Sequence, residues 1–242
     1  MYDQQLPLLI LNPNTTKSMT DNVQKMVKPL VTRVEPNYMT APSGLSSVDN
    51  EEDCHESARI LLQILTETKA DYLASHSGFL VACYSEHPLV QELKGYTDKP
   101  VMGILEASVA TAISLLGPGQ SFGIVSTGKV WEELLSTAVH HLLGTEQSKR
   151  FAGVTTTGLS ATELHDAPTD LVHRRINEAT RLLLRRAKDI VAICLGCAGM
   201  AGMDDWVREA CIQEIGEEKG NRVRIVDGVK SGFVMLDGLA KM

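Results

Sequence analysis

The sequence predicts an α/β protein of two similar halves, each a mainly four-stranded parallel sheet flanked by helices. Three observations lead there. Short apolar runs alternate with longer stretches of helical pattern along the chain. The runs are continuously apolar rather than alternating, as in strands covered on both faces. The order of elements also repeats at long range: Ile10 and Ile124 stand 114 residues apart, as do Cys83 and Cys197.

The elements can be taken in order. Leu6 to Leu11 is a buried strand closed by Asn12-Pro13-Asn14-Thr15, and Asn14, Thr15 or Thr16 is placed to cap the helix that follows. A weaker strand lies between about Val31 and Thr40. Gly78 to Cys83 and Pro100 to Leu105 complete the first half. Ser121 to Ser126, Phe151 to Thr156, Asp189 to Leu195 and Arg222 to Asp227 supply the second. Helical patterns fill most gaps, as at Glu56 to Thr68 and Arg174 to Lys188. The expected division is residues 1–104 with 228–242 in the first domain and 105–227 in the second.

Composition excludes several functions. The formal charge of −7 is spread along the chain with no basic block, so no nucleic-acid footprint is present. His173-Arg174-Arg175 and Arg185-Arg186 lie inside a helical pattern and read as a solvated face. No apolar run approaches the roughly 20 residues of a membrane helix. Met1 to Gln5 lack a basic and an apolar segment, so no secretory signal is expected. Five cysteines, an odd number, suit reduced thiols in a cytoplasmic protein.

The candidate chemistry lies at two of those thiols. In open parallel sheets, ligands bind beyond the carboxyl ends of the strands. Cys83 and Cys197 both belong there, each at the end of the third strand of its half. If the halves face each other, the thiols oppose across one cleft. A racemase without cofactor needs such a pair: one base removes a proton from one face of a stereogenic carbon, and one acid returns a proton to the other. A thiol suits both roles because its pKa of about 8.5 lies near neutrality and local donors lower it. Each Cys precedes a turn and a helix start, Ser85-Glu86-His87-Pro88 in one case and Ala198-Gly199-Met200-Ala201-Gly202 in the other. His87 suits a helix cap better than a catalytic role. Small residues let backbone N–H groups approach a developing enolate oxygen.

At these motifs a resemblance becomes visible. Asn12-Pro13-Asn14-Thr15, Ala82-Cys83-Tyr84-Ser85-Glu86-His87-Pro88-Leu89 and Leu195-Gly196-Cys197-Ala198-Gly199-Met200 resemble the signatures of the hydantoin racemase family of the aspartate/glutamate racemase superfamily. That family includes allantoin racemases and a fungal branch, and the wording after Cys83 is closest to the fungal branch. The resemblance implies two pseudo-symmetric domains with the active site in the cleft between them. It implies Cys83 and Cys197 as the acid/base pair, Asn12, Ser85, Thr127 and Gly196 as substrate-binding residues, no cofactor, and a homo-oligomer. It also implies a neutral cyclic ureide as substrate, allantoin or a 5-substituted hydantoin. The superfamily's amino-acid racemases follow their cysteines with Asn-Thr and Thr-His, where this chain has Tyr84-Ser85 and Ala198-Gly199. A carboxylate left without strong donors would carry a large desolvation cost.

Other readings stay open. Cys194-Leu195-Gly196-Cys197 is a C-x-x-C, but no second ligand pair accompanies it for zinc, and Cys194 belongs inside a strand. No lysine motif for pyridoxal phosphate is evident. Cys54 and Cys211 fall on helical stretches and read as structural. A non-catalytic ureide-binding protein, an amino-acid racemase, a decarboxylase or a cis-trans isomerase would share the same framework.

Overall fold

A computed structural model describes residues 6–68, 71–200 and 202–242. The N-terminal residues read above for a signal, and Ala201 of the Gly-rich turn, lie outside them. The described residues form two four-stranded sheets, all of whose pairings are parallel. In the first, β1 (Leu8–Asn12), β2 (Asn37–Thr40), β3 (Gly78–Val81) and β4 (Val101–Gly103) lie in the order β2-β1-β3-β4. In the second, β5 (Ser121–Ser126), β6 (Phe151–Thr156), β7 (Ile190–Leu195) and β8 (Arg224–Asp227) repeat that order as β6-β5-β7-β8. The predicted fold class is thus observed: two parallel sheets of the same strand order, flanked by helices.

The first half carries α1 (Lys17–Val27), α2 (Glu51–Gln63) with a π-helical turn at Ile64–Thr68, α3 (Asp71–Ser75), α4 (Pro88–Lys94) and α5 (Ile104–Leu115). The second carries α6 (Trp131–Leu143), α7 (Glu163–Asp166), α8 (Thr169–Arg186), α9 (Asp204–Ile215) and α10 (Glu217–Arg222), and α11 (Gly228–Leu239) closes the chain. The chain divides into two compact units, Met1–Ala107 with Val229–Met242, and Ser108–Gly228. No described helix is long and apolar enough to cross a membrane.

Each unit has its own core, and strand alternation builds it. In the first, Leu9 and Leu11 of β1 and Phe79 and Val81 of β3 face Ala58 and Leu61 of α2 and Leu89, Val90 and Leu93 of α4. In the second, Val125, Ile193 and Leu195 meet Val172, Ile176, Ala179 and Leu183 of α8 and Val207 and Cys211 of α9. Both central strands, β1 and β5, are buried along their whole length, which explains their continuous hydrophobicity.

Several boundaries differ from the sequence reading. The run Pro100 to Leu105 is strand only over Val101–Gly103, and Ile104 and Leu105 open α5. Both are buried in the helix as they would be in a strand, so hydrophobicity carries no boundary there. The first strand ends at Asn12, which pairs with Thr40, rather than at Leu11. Thr16 is the N-cap of α1 without a side-chain cap bond. The capping-type acceptor is Asn14 Oδ1, which takes the Thr16 N–H at 2.9 Å.

Candidate active site

The same local construction delivers both candidate thiols. After β3, the Ala82 N–H donates to Leu11 O at 2.8 Å, one ladder bond beyond the strand. After β7, the Gly196 N–H donates to Val125 O at 2.7 Å in the equivalent place. The next residue is Cys83 in one unit and Cys197 in the other, each partly exposed directly after a buried residue. Each sulphur then accepts a hydrogen bond from the residue two positions on. Ser85 Oγ donates to Cys83 Sγ at 3.5 Å, and the Gly199 N–H donates to Cys197 Sγ at 3.2 Å. A donor aimed at sulphur favours the thiolate over the thiol.

Gly196 is explained by packing. A Cβ there would stand 2.7 Å from Ser126 Cβ and 2.8 Å from Val125 O, so only glycine lets the end of β7 lie against β5. Its carbonyl accepts from Ser126 Oγ at 2.6 Å. Gly199 plays a different part. Its missing Cβ would stand 3.3 Å from Cys197 Sγ and 3.2 Å from Nε2 of His165, on α7. Sulphur and imidazole therefore flank one small space, and any larger residue would fill it.

The two polar residues at the ends of the central strands are unlike each other. Asn12 is buried, and its amide is engaged within its own turn. Nδ2 donates to Asn14 Oδ1 at 3.0 Å, Thr20 Oγ1 at 3.0 Å and Thr16 O at 3.2 Å, while Oδ1 accepts the Asn14 N–H at 3.2 Å. Its visible work is to order the turn from β1 into α1. Thr127 is also buried, and its carbonyl accepts the Gly158 N–H at 3.0 Å. By contrast, no hydrogen bond of its hydroxyl is found among the described residues.

His87 is a cap. It sits at the N-cap of α4 with Pro88 at the first helical position, and Nδ1 accepts the Leu89 N–H at 3.4 Å. Nε2 pairs with Ser57 Oγ at 3.1 Å. Burial, helped by the nearby His55, pushes its pKa down to about 4, so the ring is neutral.

Behind Ser85 lies a residue that the sequence pattern assigned only a structural role. Cys54 of α2 is buried, and its Sγ donates to Ser85 Oγ at 3.5 Å. Its hydrogen bond to Cys83, and then that to Ser85, hold its pKa below the ordinary thiol value against the effect of burial. Cys211 shows the contrast, since burial without such partners pushes its thiol up to about 11. Cys194 is fully buried in β7, with Sγ donating to Ser108 O at 3.7 Å, as expected of a strand residue rather than a redox partner.

Known proteins share this framework. The Asp/Glu/Hydantoin racemase family model matches residues 8–236. An uncharacterized protein of Schizosaccharomyces pombe is 34% identical over 239 residues, covering 97% of this chain and 92% of the relative. The hydantoin racemase of a Pseudomonas species is 26% identical over 228 residues, covering 94% and 83%. Among solved structures, the allantoin racemase of Pseudomonas fluorescens superposes with a TM-score of 0.78 at 26% identity, covering 98% of this chain and 91% of that one. With a match that spans nearly all its elements, the chain belongs to the Asp/Glu/hydantoin racemase family, whose relatives of named activity here are racemases and hence isomerases.

Proposed function

We propose that the protein racemises a neutral cyclic ureide, allantoin or a 5-substituted hydantoin, without a cofactor, by proton transfer between Cys83 and Cys197 at C5. The supporting observation is the equivalence of the two thiols: each follows the last ladder bond of its third strand, and each accepts a hydrogen bond from the residue two positions on. A racemase must run in both directions, so its acid and base should be chemically alike. In one direction a thiolate takes the C5 proton, the C–H electron pair passes into the ring enolate, and the opposite thiol returns a proton to the other face. This requires both units to present their thiols to one substrate carbon, as in the cleft expected from the sequence.

The neutral ring fits the polar groups at hand. The unengaged Thr127 hydroxyl can meet a ring N–H or C=O. Ser85 is bonded to Cys83 and contributes through it. Asn12 and Gly196 contribute by shaping the turn after β1 and by seating the end of β7. No arginine lies in the turns after β1, β3, β5 or β7 to neutralise a carboxylate.

The test is a substrate panel with Cys83→Ser and Cys197→Ser. Each variant should lower racemisation by at least about 10²–10⁴-fold, the usual contribution of a positioned acid or base. A single variant should still exchange the C5 proton of one enantiomer with deuterium without inverting it. Wild-type activity should rise from neutral to mildly alkaline pH as a thiolate forms, and should survive chelation and dialysis. Near-full activity in either variant would overturn the two-thiol reaction. Faster turnover of free glutamate or aspartate than of any ureide would overturn the substrate class.

A further inference from the structure

The two candidate thiols are delivered by their strands in the same way, but they differ in their relation to a second cysteine. Cys194 stands three residues before Cys197, yet it is turned away from it. Its Sγ donates to Ser108 O of α5 at 3.7 Å, while Cys197 packs with Ile193 and Leu195 on the core of the second unit. A strand sends such residues to opposite faces. Cys83 has the reverse arrangement. Cys54 is remote in sequence, but α2 brings it against Cys83, and a hydrogen bond joins the two sulphurs. Ser85 Oγ lies 3.5 Å from each of them, so the three atoms close a triangle. All five cysteines are free thiols. Cys83 is partly open and Cys54 only 4% exposed, so a solute meets Cys83 first.

We propose that Cys54 and Cys83 form a modification site for peroxides, at which Cys83 is oxidised first and Cys54 then closes a disulfide on it. The Cys83 thiolate attacks one oxygen of hydrogen peroxide. The S–O bond forms, the O–O bond breaks and hydroxide leaves, giving the sulfenic acid. The Cys54 thiolate then attacks the Cys83 sulphur. The S–S bond forms, the S–O bond breaks and a second hydroxide leaves. Each hydroxide takes up one of the two thiol protons. The two thiols thus give up two electrons and two protons, and the peroxide becomes two waters.

Cys54 suits the second step, in which only a thiolate reacts. Its bonds to Cys83 and Ser85 lower its pKa against burial and against the charges of Asp53 and Glu51. Ser85 can serve either state of the pair, since a hydroxyl accepts from a thiol and donates to a thiolate. A disulfide sets its sulphurs about 2.0 Å apart. These two start in hydrogen-bond contact, so closure is a matter of side-chain rotation. Resting on the two-thiol function proposed above, the disulfide removes the acid/base sulphur of one unit and stops racemisation until a thiol reductant restores it. It also halts Cys83 short of the sulfinic acid, which thiols do not reduce.

The experiment treats full-length wild type and Cys54→Ala with hydrogen peroxide, alkylates the remaining thiols and maps the unreduced peptides by mass spectrometry. Wild type should yield the Cys54–Cys83 peptide pair at about 2 Da below its two reduced peptides together, the mass of two hydrogens. Racemisation should be lost as this pair forms and should return on adding dithiothreitol. Cys54→Ala should instead carry Cys83 on to the sulfinic acid and stay inactive after the reductant. Wild type in which Cys83 stays reduced, or reaches the sulfinic acid without pairing to Cys54, overturns the proposal. Preferential joining of Cys194 to Cys197 does the same. These outcomes are read on wild type alone, so they hold even where Cys54→Ala does not fold. Mapping needs no turnover. A disulfide that forms while racemisation persists would therefore overturn the catalytic role of Cys83 and leave the modification site standing.

Discussion

At the scale of the residue, His87 shows how one side chain can be fully explained by packing and still leave a mark on stability. Its two ring nitrogens are used by Leu89 and Ser57, and it is buried and neutral. With a folded pKa of about 4 against an ordinary value near 6.5, the unfolded chain takes up a proton over a range where the folded chain refuses it. Above pH 6.5 both states are neutral and the stability is fully present. As pH falls from 6.5 to about 4 the protein should lose stability at about 1.4 kcal/mol per pH unit, roughly 3 kcal/mol in all. Urea unfolding at several pH values will show this as a gap between wild type and His87→Asn that closes on acidification. Parallel pH profiles for the two proteins would mean that His87 is not held neutral by the fold.

At the scale of the element, glycines mark where helices approach closest. Gly220 of α10 lies against α9, and a Cβ there would stand 2.5 Å from Ile212 N and 2.7 Å from Cys211 C. Two effects of Gly220→Ala oppose each other. Helix propensity favours alanine by about 1 kcal/mol. Overpacking typically costs about 1–3 kcal/mol, and here the obstructing atoms are backbone and cannot rotate aside. The clash should win, so Gly220→Ala is expected to lower the urea midpoint at unchanged slope. A raised midpoint would show that α10 can slide on α9. The opposite case is a helix pair joined by charge at its edge: Glu214 of α9, itself largely covered, accepts from both Arg181 and Arg185 of α8, whose side chains are exposed. These guanidinium groups hold its carboxyl at about 2, yet solvent screens such pairs, so the packing of α8 on α9 rests on Val172, Ile176 and Val207 instead.

At the scale of the whole molecule, the first unit is discontinuous in sequence. The chain leaves it within α5, between Ala107 and Ser108, and returns between Gly228 and Val229. The returning helix α11 packs on β3, where a Cβ at Gly232 would stand 2.5 Å from Leu80 Cδ1. It also buries Val229, Phe233 and Leu236. At about 1.5–3 kcal/mol for each such side chain, its removal costs an amount comparable with the whole stability of a domain, about 5–15 kcal/mol. Deleting residues 229–242 should therefore abolish hydrogen-exchange protection in β1 and β3, although both lie far from the cut in sequence. Protection within Ser108–Gly228, which has its own core, should persist. Loss of protection in both units together would show that they unfold as one.

The sequence alone determined the class of fold, the number of strands in each sheet and the place of two cysteines after equivalent strands. These follow from local patterns: β5 and β6 were legible to the residue because each is an apolar, β-rich run closed by turn residues. The 114-residue offset held because both strand ends are built by the same ladder bond, at Ala82 and at Gly196. Where an apolar run passes from strand into buried helix, as at Gly103 to Leu105, burial is the same on both sides and local pattern falls silent. Tertiary structure alone decided what surrounds the cysteines. Cys54 stands 29 residues before Cys83 on an ordinary helical pattern, and it meets Ser85 only because α2 packs on β3 beside the turn that follows. His165 reaches the space beside Cys197 because Gly199 leaves it open. Asn12 has its amide committed because its turn folds back onto it. A hydrogen bond depends on distance in space to within a few tenths of an ångström, and for groups far apart in the chain that distance is set by packing.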